Sequence, residues 1–128
     1  MAPAREIVVT LPEEAAAPAS ESDAGVMYQC DGYEIMIQTL EGGDINETIR
    51  QISGHERSEL TVMYTSLSDT DRYILVWACL GEMGERVGKS VILDDGSYHY
   101  TLTVLSDADR CEEYTEVWNR MFDSFTLG

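Results

Sequence analysis

The C-terminal third of the chain constrains the fold most. Residues 87–105 make two arms rich in β-formers around Asp94-Asp95-Gly96, a turn-forming tripeptide, so they read as a β-hairpin. The period then changes. Cys111, Tyr114, Trp118, Met121 and Phe125 recur at spacings of 3, 4, 3 and 4, which paints one apolar stripe along a helix over residues 106–122. Ser106 stands where a cap is expected, and Asp107 and Asp109 fall in the first turn, where the helix dipole favours negative charge. Ser124-Phe125-Thr126-Leu127 closes the chain as a short apolar tail.

The preceding residues repeat the hairpin theme. Residues 26–30 and 33–40 flank Asp31-Gly32, a dipeptide that favours a type I′ turn. Tyr33, Ile35 and Ile37 share one face of the second arm, with Glu34, Met36 and Gln38 on the other, as in a half-buried strand. Asp44 is placed to cap a short helix and Glu47 to complete a capping box; Ile45, Ile49 and Ile52 lie on one helical face and Gly54 stops it. After a polar bridge at residues 55–59, a second hairpin turns at residues 68–71. Its later arm, Tyr73-Ile74-Leu75-Val76-Trp77-Ala78-Cys79-Leu80, is apolar on both faces, the pattern of a central strand covered on both sides. The expected architecture is α+β: an antiparallel sheet of about six strands flanked by helices on both faces.

Residues 12–25 have linker composition, with Pro, Ala, Ser and acidic residues and no aromatic or β-branched side chain. Residues 1–25 are therefore expected to be a flexible acidic, Pro/Ala-rich tail, and residues 26–128 a single domain. Within the tail, residues 5–11 form an apolar island able to pair with a sheet edge. A tether of this kind favours an exported domain whose signal or anchor lies upstream, with a cytoplasmic location as the alternative.

Charge narrows the functions available. The chain has 24 acidic and 8 basic residues, a net charge of −16, and Lys89 is its one lysine. Affinity for nucleic acid or anionic lipid begins with neutralising phosphates, so direct binding to either is excluded as the main activity. No apolar run reaches the ~20 residues that a membrane span needs, so no membrane insertion is expected. The three cysteines, Cys30, Cys79 and Cys111, show no metal-ligand spacing; neither zinc nor any cofactor is expected. One disulfide stays open if the protein is exported.

The candidate chemical groups read mainly as structure. Asp94-Asp95-Gly96 and the pair Asp69 and Asp71 are loop tips before they are cation ligands, and no EF-hand spacing follows them. His99, between Tyr98 and Tyr100, points to the opposite strand face from both, and His55 sits in the polar bridge. Neither histidine has a nucleophile beside it in sequence, and the P-loop, dinucleotide, serine-hydrolase and zincin motifs are absent. Cys111 reads as a buried thiol. The one surface with a distinctive character is the acidic helix face of Asp107, Asp109, Glu112, Glu113 and Glu116, joined by Asp123.

The run from Val87-Gly88-Lys89-Ser90-Val91 through Tyr98-His99-Tyr100-Thr101-Leu102-Thr103-Val104 leads into a helix ending Met121-Phe122-Asp123-Ser124-Phe125-Thr126-Leu127. This closing pattern resembles the PsbP-like superfamily, which groups an extrinsic photosystem II subunit with a Ran-binding nuclear transport factor. It also resembles lipoprotein-type domains of Gram-positive gut bacteria. The resemblance implies an antiparallel sheet sandwiched by helices, a last short strand at residues 124–127, and a protein-binding role. It brings no metal-site residues, since no matching ligand motif is found. The expectation is a non-enzymatic extracytoplasmic domain of a bacterial surface protein or lipoprotein, whose partner is another protein or a small ligand met through a sheet edge or loop end. A rival is an acidic cytosolic inhibitor, of the type phages encode, that mimics nucleic acid through Glu112, Glu113 and Glu116. A third reading is a small hydrolase.

Overall fold

The computed structural model describes residues 3–81 and 84–128, with Cys79, Leu80, Gly81 and Cys111 described in backbone only. Its elements are β1 (Ile7–Val8), β2 (Ser20–Ser22), β3 (Gly25–Cys30), β4 (Tyr33–Glu41), α1 (Ile45–Ser53), β5 (Val62–Ser66), β6 (Asp71–Gly81), β7 (Gly84–Asp94), β8 (Tyr98–Asp107), α2 (Cys111–Ser124) and β9 (Thr126–Leu127). Seven strands form one antiparallel sheet in the order β2-β3-β4-β8-β7-β6-β5, and β1 pairs with β9 in a separate ribbon.

All three hairpins form where the turn chemistry places them, with one difference of type. Gly32 has φ +84° but Asp31 does not have positive φ, so Asp31-Gly32 is not a type I′ turn, which needs positive φ at both positions. The α1 helix is capped by the Asp44 carboxylate, which accepts the Asn46 N–H at 2.9 Å, and it ends on Gly54 in the left-handed region at φ +78°. The polar bridge holds one 3₁₀ turn, Arg57–Glu59.

Consecutive residues of a strand face opposite ways, and the core divides accordingly. Tyr33, Ile35, Ile37, Val91, Leu93, Tyr100, Leu102 and Val104 pack with Trp118, Met121, Phe122 and Phe125 around α2. Tyr73, Leu75, Trp77 and Ile92, one residue out of phase, form a smaller cluster with Ile49 of α1. Helix α2 thus covers the first face over β4, β8 and β7, and α1 contributes a smaller cover to the second.

The structure differs from the sequence reading in several places. The most enclosed strand is β8, not the all-apolar β6, which stands next to the sheet's end with Val76 51% exposed. Polar residues of β8 are buried because each finds a partner: Thr103 Oγ1 meets Ser90 Oγ at 2.8 Å, and Thr101 Oγ1 donates to the Gln38 carbonyl at 3.5 Å. Ser106 does not cap α2. It is paired with Tyr33 on one side and Val87 on the other, so the ladder holds the strand through Asp107. A 3₁₀ turn at Ala108–Arg110 then leads into the helix at Cys111. Residues 1–25 contain two strands: Ile7↔Leu127 and Val8↔Thr126 join β1 to β9, and β2 extends the sheet beside β3. The Arg5 N–H donates to the Tyr100 hydroxyl at 2.8 Å, and Ala15 is buried in the α2-side core. The last strand accordingly meets the chain's beginning and not the main sheet.

Candidate functional site

The carboxylates at the Asp94 end of the sheet are committed to the fold. Asp94 Oδ1 accepts the Gly96 N–H at 2.8 Å; Asp95 Oδ1 accepts those of Ser97 and Tyr98 at 2.9 and 2.8 Å, and its Oδ2 the Tyr100 hydroxyl at 2.9 Å. Asp69 pairs with Arg5 at 2.9 Å, and Asp71 accepts the Tyr64 hydroxyl at 2.8 Å. Among the described residues no group of three or more His, Cys, Asp or Glu side chains is placed to hold a metal ion. Burial works against ionisation of Asp95, but the amides of Ser97 and Tyr98 and the Tyr100 hydroxyl outweigh it and hold the carboxyl below its ordinary range. A folded-state pKa below the unfolded one contributes stability that is present above about pH 4 and is lost as pH falls through the folded value. Asp95→Asn should therefore be less stable than the parent at neutral pH, with the gap closing only as acid protonates the parent carboxyl, below the ordinary carboxylate range. Urea unfolding across that range measures the gap; a difference independent of pH would refute the assignment.

The imidazole of His99 is fully buried and lies on the opposite face from Tyr100. Its Nδ1 is 2.6 Å from Thr48 Oγ1 on α1, and its Nε2 is 3.4 Å from Asp94 Oδ2. A hydroxyl, an imidazole and a carboxylate in line is the arrangement a nucleophilic hydrolase uses. Here Thr48 is 6% exposed and the three groups join α1 to β8 and the end of β7. The arrangement works as a tie between helix and sheet. His55 is half-buried beside Ser53, whose Oγ accepts its backbone N–H at 3.1 Å.

The acidic face is divided by arginines. Arg110 donates to both carboxylate oxygens of Asp31 at 3.2 and 3.3 Å and to Glu113 at 3.3 Å, and Arg86 lies 3.7 Å from Asp107 and from Glu34. Glu112, Glu116 and Asp109 are exposed. Cys30 is free and buried, and burial raises its thiol pKa. The side chains of Cys79 and Cys111 lie outside those described.

Two concavities have mainly apolar walls. One, of about 360 Å³, lies between residues 10–14 and α2, with Tyr33, Tyr114 and Met121 among its walls. The larger, about 590 Å³, is lined by Leu60, Met63, Ile74, Val76, Trp77 and Ala78, with His55 and Glu59 beside them. Met63 and Val76 are 63% and 51% exposed, beyond the reach of α2, which stops over Lys89 with its Nζ 4.8 Å from the Phe122 ring. Sequence reading did not find this groove. Exposed methionine next to an apolar strand was the available signal.

A seven-stranded antiparallel sheet with a 14-residue C-terminal helix over its first face defines a scaffold of the PsbP-like fold. Two solved structures place the chain within it. LpqN of Mycobacterium tuberculosis, described as involved in cell envelope biogenesis, matches with a TM-score of 0.62 over 97% of this chain and 84% of that one, at 14% identity. The cyanobacterial PsbP, CyanoP, of Synechocystis sp. PCC 6803 matches with a TM-score of 0.59 over 95% and 82%, at 11% identity. At these identities the likeness is one of fold. No family model matches the sequence, and no curated protein is significantly similar to it. Among the described residues no helix is long and apolar enough to cross a membrane.

Proposed function

We propose that this is a non-enzymatic, extracytoplasmic domain of a bacterial surface protein or lipoprotein, and that it holds a protein partner through the β5–β6 side of its sheet. The observation that carries the reading is the pair of exposed apolar side chains, Met63 and Val76, beside the groove at that side. The enclosure of Thr48 and His99 supports a binding role over a hydrolytic one. The involvement of LpqN, which has the same fold, in cell envelope biogenesis supports the location.

The acidic residues Asp107, Asp109, Glu112, Glu113 and Glu116 have a secondary part in this reading. Their field, with the net charge of −16, draws a basic partner in and is screened by salt.

A photocrosslinking residue at Met63, in the full-length gene product in its own cells, should yield a discrete adduct in the envelope fraction. The same residue at Glu21 on β2 should yield none. Equal labelling from both positions, or an adduct confined to the cytosol, sinks the proposal. With the captured partner, Glu112→Gln, Glu113→Gln and Glu116→Gln together should slow association several-fold at low salt and leave dissociation unchanged. Complete loss of binding would instead favour the nucleic-acid mimic.

A further inference from the structure

Strand β6 outruns its outer neighbour. Its register with β5 runs from Ser66↔Asp71 to Val62↔Leu75, while on its other side it stays paired with β7 as far as Gly81↔Gly84. Among the described residues, positions 76–81 therefore present one unpaired edge, about 20 Å long at ~3.3 Å per residue. Alternate residues along it point N–H and C=O groups outward, and these need water or another strand.

The larger groove lies on this edge. Val76 and Ile74 face the α2 side of the sheet and Trp77 the α1 side, yet all three line it. Glu59, Leu60 and Thr61, which precede β5, line it as well, so the groove lies along β6 at the place where β5 stops. Open edges are ordinarily blunted by charge, proline or shortness. The opposite end of the sheet follows that rule, since β2 is three residues long and reads Ser20-Glu21-Ser22. Val76-Trp77-Ala78 carries none of those devices.

We infer that the edge of β6 beyond Leu75 is a docking site for an extended segment of a partner protein, which adds as a strand in line with β5. This rests on the β5–β6 side being the binding side. The partner segment is apolar at alternate positions, to meet Met63, Ile74 and Val76, and basic between them. Charge selects the basic residues: Glu59 lines the groove and is exposed, while Arg57 is turned onto the Tyr73 ring at 5.7 Å and Arg50 is taken up by Glu56 at 3.4 Å. Charge also argues against a second copy as occupant, because two chains at −16 repel across any shared edge.

The test is a random dodecapeptide display library selected on the full chain and counter-selected on the Met63→Asp, Val76→Asp double variant, whose changes are at exposed positions. Enriched peptides should alternate apolar residues with Lys or Arg. N-methylation of alternate amides in the best peptide should weaken binding at least tenfold, and the outward-pointing amides of residues 76–78 should exchange at least tenfold more slowly in the complex. No enrichment over the double variant, helical spacing in the selected peptides, indifference to N-methylation, protection confined to β5, or concentration-dependent dimerisation through Val76 would each overturn it. An adduct from Met63 in cells without strand addition on β6 removes this inference and leaves the proposed function standing.

Discussion

Trp118→Ala should cost about 3–5 kcal/mol of folding free energy, the range for a large aromatic removed from a core. Trp118 is 8% exposed and holds the aromatic centre of the α2 interface, with the Tyr33 ring edge-on at 5.5 Å and the Tyr114 ring stacked at 5.9 Å. Domains of this kind keep only about 5–15 kcal/mol in total, so the variant should be partly unfolded near physiological temperature. A second substitution separates ring volume from the indole N–H. Trp118 Nε1 is buried with no hydrogen-bond partner among the described residues, so Trp118→Phe keeps most of the packing and removes a polar atom that gains nothing from burial. Its expected cost is well under half that of Trp118→Ala. Urea unfolding followed by far-UV circular dichroism measures both. Equal losses would mean that Nε1 is satisfied and that its bond, not the ring, carries the effect.

The elements that could be read from the chain are those whose causes are local. Asp31-Gly32, Asp94-Asp95-Gly96 and Gly54 act within a few residues, and each turn or stop falls where its chemistry puts it. The apolar stripe of α2 was legible for the same reason. Its start was not, because Ser106 is held by two neighbouring strands whose partners, Tyr33 and Val87, are distant in sequence. Burial of β8 was hidden by its composition: His99, Thr101 and Thr103 look like a solvated face until Thr48, the Gln38 carbonyl and Ser90 arrive to bond them. The apolar island at residues 5–11 pairs as its composition suggests, Ile7 finding Leu127, but residues 12–25 have linker composition and still place Ala15 in the core and Ser20–Ser22 beside β3. The groove is less legible still. It follows from a mismatch in length, five residues of β5 against eleven of β6, which exists only once the register is known.

The same register gives the second large effect. Gly88 sits directly opposite Trp77, and a Cβ built on it would lie 2.3 Å from Trp77 Cε2 and 2.4 Å from Cζ2. No real contact is that short, so the indole needs the absent side chain of Gly88 in order to lie flat across β7. Trp77 cannot simply swing away: it is 6% exposed and packed with Leu75, Ile92 and Ile49. Gly88→Ala should then cost about 1–3 kcal/mol by overpacking, and Gly88→Val more. A double-mutant cycle identifies the cause. Once Trp77 is alanine the clash is gone, so Gly88→Ala in a Trp77→Ala background should cost close to nothing, leaving a coupling of about 1–3 kcal/mol between the two positions. Costs that simply add would show that Gly88 matters for strand conformation and not for seating the ring. Trp77 also lines the groove on β6, so Gly88→Ala should disturb peptide binding there even though position 88 does not line the groove. Stability and recognition are linked through one ring: the glycine that lets Trp77 lie down also shapes the floor of the open edge.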